Sequence, residues 1–85
     1  MQENISKRFQ ERIRALRKQR GWTQEQAAER CGIGQKVFQL YELGIKRNPG
    51  LLTLEKIARG FGLDAYELLD PRYPVKEKAP QAGSK

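Results

Sequence analysis

Thr23-Gln-Glu-Gln-Ala-Ala-Glu-Arg-Cys-Gly32-Ile-Gly-Gln-Lys-Val-Phe-Gln-Leu-Tyr-Glu42-Leu-Gly44 is the stretch that decides the fold. Thr23 has the residue type of a helix N-cap, and Gln26, three positions on, completes a capping box. The helix that starts there covers about 24–31 and ends at Gly32. A second runs from Gln35 to Leu43 and stops at Gly44. Gly32-Ile33-Gly34 joins the two in a turn tight enough to fix their angle. Small Ala28 lets the helices approach, Ile33 plugs the corner, and Val37, Phe38 and Tyr41 form the inner face of the second helix. The pattern is that of a helix-turn-helix.

The same punctuation continues outward. Ile5, Phe9, Ile13 and Leu16 fall at helical spacing and predict a first helix over about 5–20, followed by Gly21 at a left-handed C′ position. Ile45–Gly50 reads as a loop with an Asn48-Pro49-Gly50 turn signal. A fourth helix over about 51–61 is expected to bury Leu51, Leu54, Ile57, Ala58 and Phe61 and to end at Gly62. Asp64 caps a short fifth helix, with Glu67 at N3 and Leu63 and Leu68 as its hydrophobic staple. Strand-type alternation is absent from the sequence. The expectation is an all-α, five-helix domain over 1–70, followed by a basic, proline-containing flexible tail over 71–85.

Composition limits the chemistry. The 85 residues carry 17 Lys and Arg against 10 Asp and Glu, a formal charge of +7, with no His and a single Cys. A lone Cys31 cannot form an internal disulfide, and no familiar zinc site or His-dependent nucleophile can be assembled. Cys31 reads instead as a small buried residue, and Trp22 and Phe61 as core. No apolar run approaches the ~20 residues of a membrane span. These features exclude an enzyme and predict no metal, no cofactor, no small-molecule ligand and no membrane partner. What remains is a small cytoplasmic protein with an anionic partner. The first helix carries Lys7, Arg8, Arg12, Arg14, Arg17, Lys18 and Arg20 all round its circumference. They cannot all face one ligand, so solubility, long-range attraction and coverage of core edges by Arg12 and Arg14 are their expected roles.

From Phe9 to Leu69 the chain resembles the Cro/phage-repressor-like (Xre-type) helix-turn-helix family. Arg12-Ile13-Arg14-x-Leu16-Arg17, Gly21-Trp22-Thr23-Gln24, Ala28, Gly32, Glu42-x-Gly44, Asn48-Pro49, Leu54-x-x-Ile57-Ala58 and Leu68-Leu69 carry the resemblance. It implies a lambda-repressor-like domain that binds double-stranded DNA, with the helix-turn-helix at helices 2 and 3. It also implies a phosphate contact at Gln24, beside the capping Thr23, and a second backbone-contacting segment at Lys46, Arg47 and Asn48. Arg17 and Glu42 match a structural ion pair between helix 1 and the end of helix 3.

With Val37, Phe38 and Tyr41 turned inward, Gln35, Lys36, Gln39 and Leu40 remain for base contacts. Glutamine pairs with adenine, lysine donates to guanine, and leucine can meet a thymine methyl. Three positions depart from the family pattern. Gly34 replaces a hydroxyl-bearing cap, Leu40 a polar residue and Ala27 a leucine, the last leaving volume for Trp22 or Phe38. Family members pair across palindromes, so a homodimer through Leu63, Tyr66, Leu69 and Tyr73 is expected, on a bacterial or phage operator, in a repressor-like role. The alternative is a helix-turn-helix that binds protein rather than DNA, such as an antitoxin-type partner-binding protein, motivated by Leu40 and Leu43 on or near the exposed face of helix 3.

Overall fold

A computed structural model describes residues 4–70 and Arg72. Expectations for the tail over 71–85, Tyr73 among them, otherwise lie outside the described residues. The helices are α1 (Ile5–Gln19), α2 (Gln24–Cys31), α3 (Gln35–Leu43), α4 (Leu51–Gly60) and α5 (Ala65–Leu69), with no strand among the described residues. Asn4 caps α1, its Oδ1 accepting from Ser6 N at 2.8 Å. At α2 the capping box closes in both directions: Thr23 Oγ1 accepts from Gln26 N at 3.0 Å and Gln26 Oε1 accepts from Thr23 N at 2.9 Å. Glu67 reaches back to Asp64 N at the start of α5.

The principal packing pairs are α2 with α3, α3 with α1, α1 with α5, α5 with α4 and α4 with α2. Each helix therefore packs chiefly against two others and the five close a ring. Phe38, Ile13, Ile57, Phe61 and Leu68 fill its centre. One residue from nearly every helix converges there, which is how helices as short as α5 are held although they are too short to be stable alone.

Five expected core positions differ. Ile5 is 57% exposed and Leu51 84% exposed, because each lies one turn before the part of its helix that neighbouring helices cover. Trp22 is half-buried rather than central. It stacks on Phe61 with ring centroids 5.5 Å apart, and the Arg30 guanidinium lies over its ring at 4.8 Å from the centroid. Val37 and Leu54 are likewise half-buried, packed at the margin of the core.

Several basic residues of α1, and Arg20 that caps it, have defined partners. Arg8 donates to Leu69 O at 3.0 Å, and Arg12 donates to Leu68 O and to Glu67 O, all at the end of α5. Arg20 donates to Phe61 O at 2.7 Å, at the end of α4. Gln10 and Arg14 both donate to Glu42 O near the end of α3, at 2.9 and 3.2 Å. A helix ends with carbonyls that lack intrahelical partners and with a partial negative charge. The side chains of α1 satisfy both needs for three other helices. Burial pulls the Arg12 and Arg20 guanidinium groups below their ordinary range, Asp70 partly opposing this at Arg12, yet arginine stays charged in proteins.

At Gly60, α4 lies close against the end of α2. A Cβ on Gly60 would lie 2.7 Å from Cys31 Cα and 2.9 Å from Arg30 O, both backbone atoms that no rotamer change can move. Gly60→Ala should therefore lower the melting temperature even though alanine is the better helix former by about 1 kcal/mol. Thermal denaturation followed by circular dichroism checks this, and a higher melting temperature would contradict it. Cys31 is buried against Ile57 O, and desolvation pushes its thiol pKa up to about 11. The folded thiol holds its proton after the unfolded one, near 9, has lost it. Its contribution to stability is whole below pH 9 and disappears as pH rises towards 11. At pH 8 Cys31 should react with Ellman's reagent only in denaturant; rapid reaction of the native protein would contradict its burial.

Candidate nucleic-acid interface

The position of α3 depends on one carboxylate. Glu42 is buried, its side chain 3% exposed, and its two oxygens are taken by two other helices. Arg17 of α1 donates through Nε to Oε2 and through Nη2 to Oε1, the latter at 3.2 Å. Gln24, first residue of α2, donates through Nε2 to Oε1 at 2.8 Å. Arg17 also donates through Nη1 to Trp22 O at 2.9 Å, which holds the chain just before α2. The carbonyl of the same Glu42 receives Gln10 and Arg14. Four side chains from two helices thus converge on one residue of α3.

Gln10, Arg14 and Arg17 stand at i, i+4 and i+7, a single stripe of α1 facing α3. Sequence reasoning assigned a contact with Glu42 to Arg17 alone. The spacing of the other two was visible, but their acceptor is a backbone carbonyl, which leaves no signature in a sequence.

Gln35 and Lys36 are exposed in the first turn of α3, behind a Gly34 cap that contributes no side-chain hydrogen bond. Gln39 and Leu40 were expected outside and are half-buried. The chain after α3 folds back onto the helix end, Ile45 N and Lys46 N both donating to Leu40 O at 3.0 and 3.1 Å. Lys46, Arg47 and Asn48 on that returning segment are exposed, as is Thr23. Gln24 is half-buried, with one amide hydrogen committed to Glu42 and a second hydrogen and the carbonyl oxygen available for other partners.

The residues named for a dimer contact do not form one uniform surface. Tyr66 is 69% exposed, whereas Leu63 and Leu69 are half-buried against the core. Leu51 and Leu52, at 84% and 74%, are more exposed than either and lie beside Leu63 along a groove between α4 and α5.

Among the described residues no helix is long and apolar enough to cross a membrane, and no three His, Cys, Asp or Glu side chains come together as a metal site would require. The surface carries an exposed polar helix start at Gln35 and Lys36, with the N-terminus of α2 and a cationic loop at the other end of the same helix. That combination suits a polyanion with readable edges.

A helix-turn-helix family model matches residues 13–68. The cryptic phage CTXphi transcriptional repressor RstR of Vibrio cholerae is 37% identical over 71 residues, 82% of this chain and 63% of the relative. The immunity repressor protein of Bacillus phage phi105 is 33% identical over 75 residues, 88% of this chain and 51% of the relative. The HTH-type transcriptional regulator SinR of Bacillus subtilis is 27% identical over 66 residues, 78% of this chain and 60% of the relative. The chain therefore spans between about half and two thirds of the length of these three relatives. No solved structure gives a significant match.

Removing one partner of a buried pair leaves the other charge without compensation, which costs about 3–5 kcal/mol. A core of this size supplies on the order of 3–5 kcal/mol in total. Glu42→Ala should therefore leave the domain largely unfolded at 25 °C, seen as loss of helical circular dichroism. A variant that melts within a few degrees of the parent would show that Glu42 does not hold α3.

Proposed function

Because the chain belongs to the Cro/phage-repressor-like helix-turn-helix family, we propose that it is a sequence-specific, double-stranded DNA-binding transcriptional regulator. It acts in this reading as a repressor-like homodimer on a palindromic operator. The observation that carries the reading is the exposure of Gln35 and Lys36 on a helix whose orientation Glu42 fixes against both α1 and α2.

In this reading the first turn of α3 enters the major groove. Gln35 pairs with adenine N6 and N7, and Lys36 donates to guanine O6 and N7. Gln39 and Leu40, half-covered, reach bases only at the edge of the contact, Leu40 through a thymine methyl. Gln24 offers its second amide hydrogen to a phosphate while its first stays on Glu42, so the phosphate contact and the placement of α3 share one side chain. Thr23 supplies its hydroxyl at the same edge, and Lys46, Arg47 and Asn48 hold a second stretch of backbone. Two copies related by a two-fold axis, meeting through Tyr66 and its neighbours, would set two recognition helices ~34 Å apart on one face of the duplex. The relatives named as repressors support a repressor-like role for this chain.

Selection of bound sequences from random duplex DNA, followed by footprinting, is the test. A palindromic consensus is expected. On it, Gln35→Ala or Lys36→Ala should each cost ~1–3 kcal/mol and relax preference at one base position, whereas Arg47→Ala should weaken all duplexes alike. Affinity should fall roughly 10³-fold or more between 50 and 200 mM salt if six or more phosphates are engaged. A chain with no duplex affinity at 50 mM salt would overturn the reading and favour a protein partner.

A further inference from the structure

A groove of about 390 Å³ runs between the N-terminal half of α1 and the end of α3, and its walls include Lys7, Gln10, Arg14, Leu43, Gly44 and Arg47. Arg47 belongs to the cationic loop after α3, whereas Lys7 and Arg14 come from α1, whose charges sequence reasoning assigned to solubility, long-range attraction and core coverage. Three cations line this groove against one carboxylate, Glu11, which lies 4.0 Å from Lys7 with both groups largely exposed. An exposed pair of this kind is weak and yields to a stronger anion.

The groove has a fixed floor. Gln10 is held by its bond to Glu42 O and lies across Gly44, where a Cβ would come within 2.8 Å of Gln10 Oε1. Gly44 itself has φ +79°, so a side chain is disfavoured there on two counts. Arg14 is anchored from the same direction. It spends Nη2 on Glu42 O and keeps the rest of its five-donor fork at the groove, in an exposed position. A preset arginine beside a flexible lysine and a second arginine is an arrangement for oxyanions, because guanidinium matches the geometry of a phosphate.

The position of the groove selects which oxyanion. Glu42 anchors Gln24 through its carboxylate and Arg14 through its carbonyl, so both cluster at the C-terminal half of α3. Arg47 is common to the groove and to the loop proposed to hold the DNA backbone.

We propose that this groove takes backbone phosphates of the duplex flanking the bases read by α3, so that Lys7 and Arg14 of α1 extend the protein's hold along the strand. The inference rests on the DNA-binding reading and adds to it a contact track that carries no base information.

The test is fluorescence anisotropy on the selected duplex and on a random one, from 50 to 300 mM salt, with melting temperatures measured in parallel. Each phosphate contact contributes about 0.9 to the slope of log K against log salt. Lys7→Gln with Arg14→Gln should flatten the slope by about 1.8 on both duplexes without changing the ratio of the two affinities. Arg14→Lys in place of Arg14→Gln should restore much of the loss. Lys7→Gln alone disturbs no buried contact and should flatten the slope by about 0.9, which keeps the question open to an answer if Arg14→Gln weakens folding. Ethylation interference should show phosphates outside the base-contact region that matter for the parent and not for the double variant. Unchanged slopes in variants that melt like the parent would overturn the proposal and leave the DNA reading intact. A parent chain that binds neither duplex would overturn both.

Discussion

Everything that points outward from this domain depends on one carboxylate that points inward. Glu42 lies at the end of α3, and its oxygens are shared between Arg17 of α1 and Gln24 of α2. A buried ion pair seldom adds much net stability, because desolvating two charges offsets most of their attraction. Its effect is to exclude other arrangements: α3 cannot rotate or slide without stranding a charge. The residue that fixes the angle of the exposed helix also fixes the first side chain of α2, so the proposed grip on phosphate and the proposed reading of bases are set by one contact.

The net charge of +7 acquires a different meaning once the helix ends are considered. Arg8 and Arg12 meet the final carbonyls of α5, Arg20 that of Phe61 after α4, and Arg14 the carbonyl of Glu42. Helices of five to ten residues expose many terminal carbonyls for their length, and a single long helix lined with arginines closes them off. Much of the positive charge of α1 is therefore part of the fold. The same geometry leaves the free ends of Lys7 and Arg14 beside Arg47, so one stripe of α1 contributes to the fold and to the proposed phosphate contact.

The sequence made the helices legible because their boundaries are local events. Thr23 and Gln26 cap α2 within four residues, and Gly21, Gly32, Gly44 and Gly62 all adopt left-handed conformations after a helix. Tertiary position was less legible. Leu51 shares a helical face with Leu54 and Ala58, but period alone does not reveal that this face runs one turn beyond its neighbours. Gly60 reads as a weak helix residue, whereas its lack of a side chain is what lets α4 lie against Cys31. Gln39 and Leu40 were assigned to the exposed face by elimination, and both are half-buried. Each of these depends on what lies opposite, which composition and spacing do not encode.

The central claim, that the Glu42 contact acts by position, separates from stability in one variant. Arg17→Met combined with Glu42→Leu removes both charges and keeps the volume, so the domain should fold and melt close to the parent. Gln24 then loses its anchor, a charge-assisted hydrogen bond of about 1.5–3 kcal/mol, and affinity for the selected duplex should fall roughly tenfold or more. The measurement is duplex affinity at fixed salt beside a thermal melt. A double variant that melts like the parent and binds DNA as tightly as the parent would contradict the account.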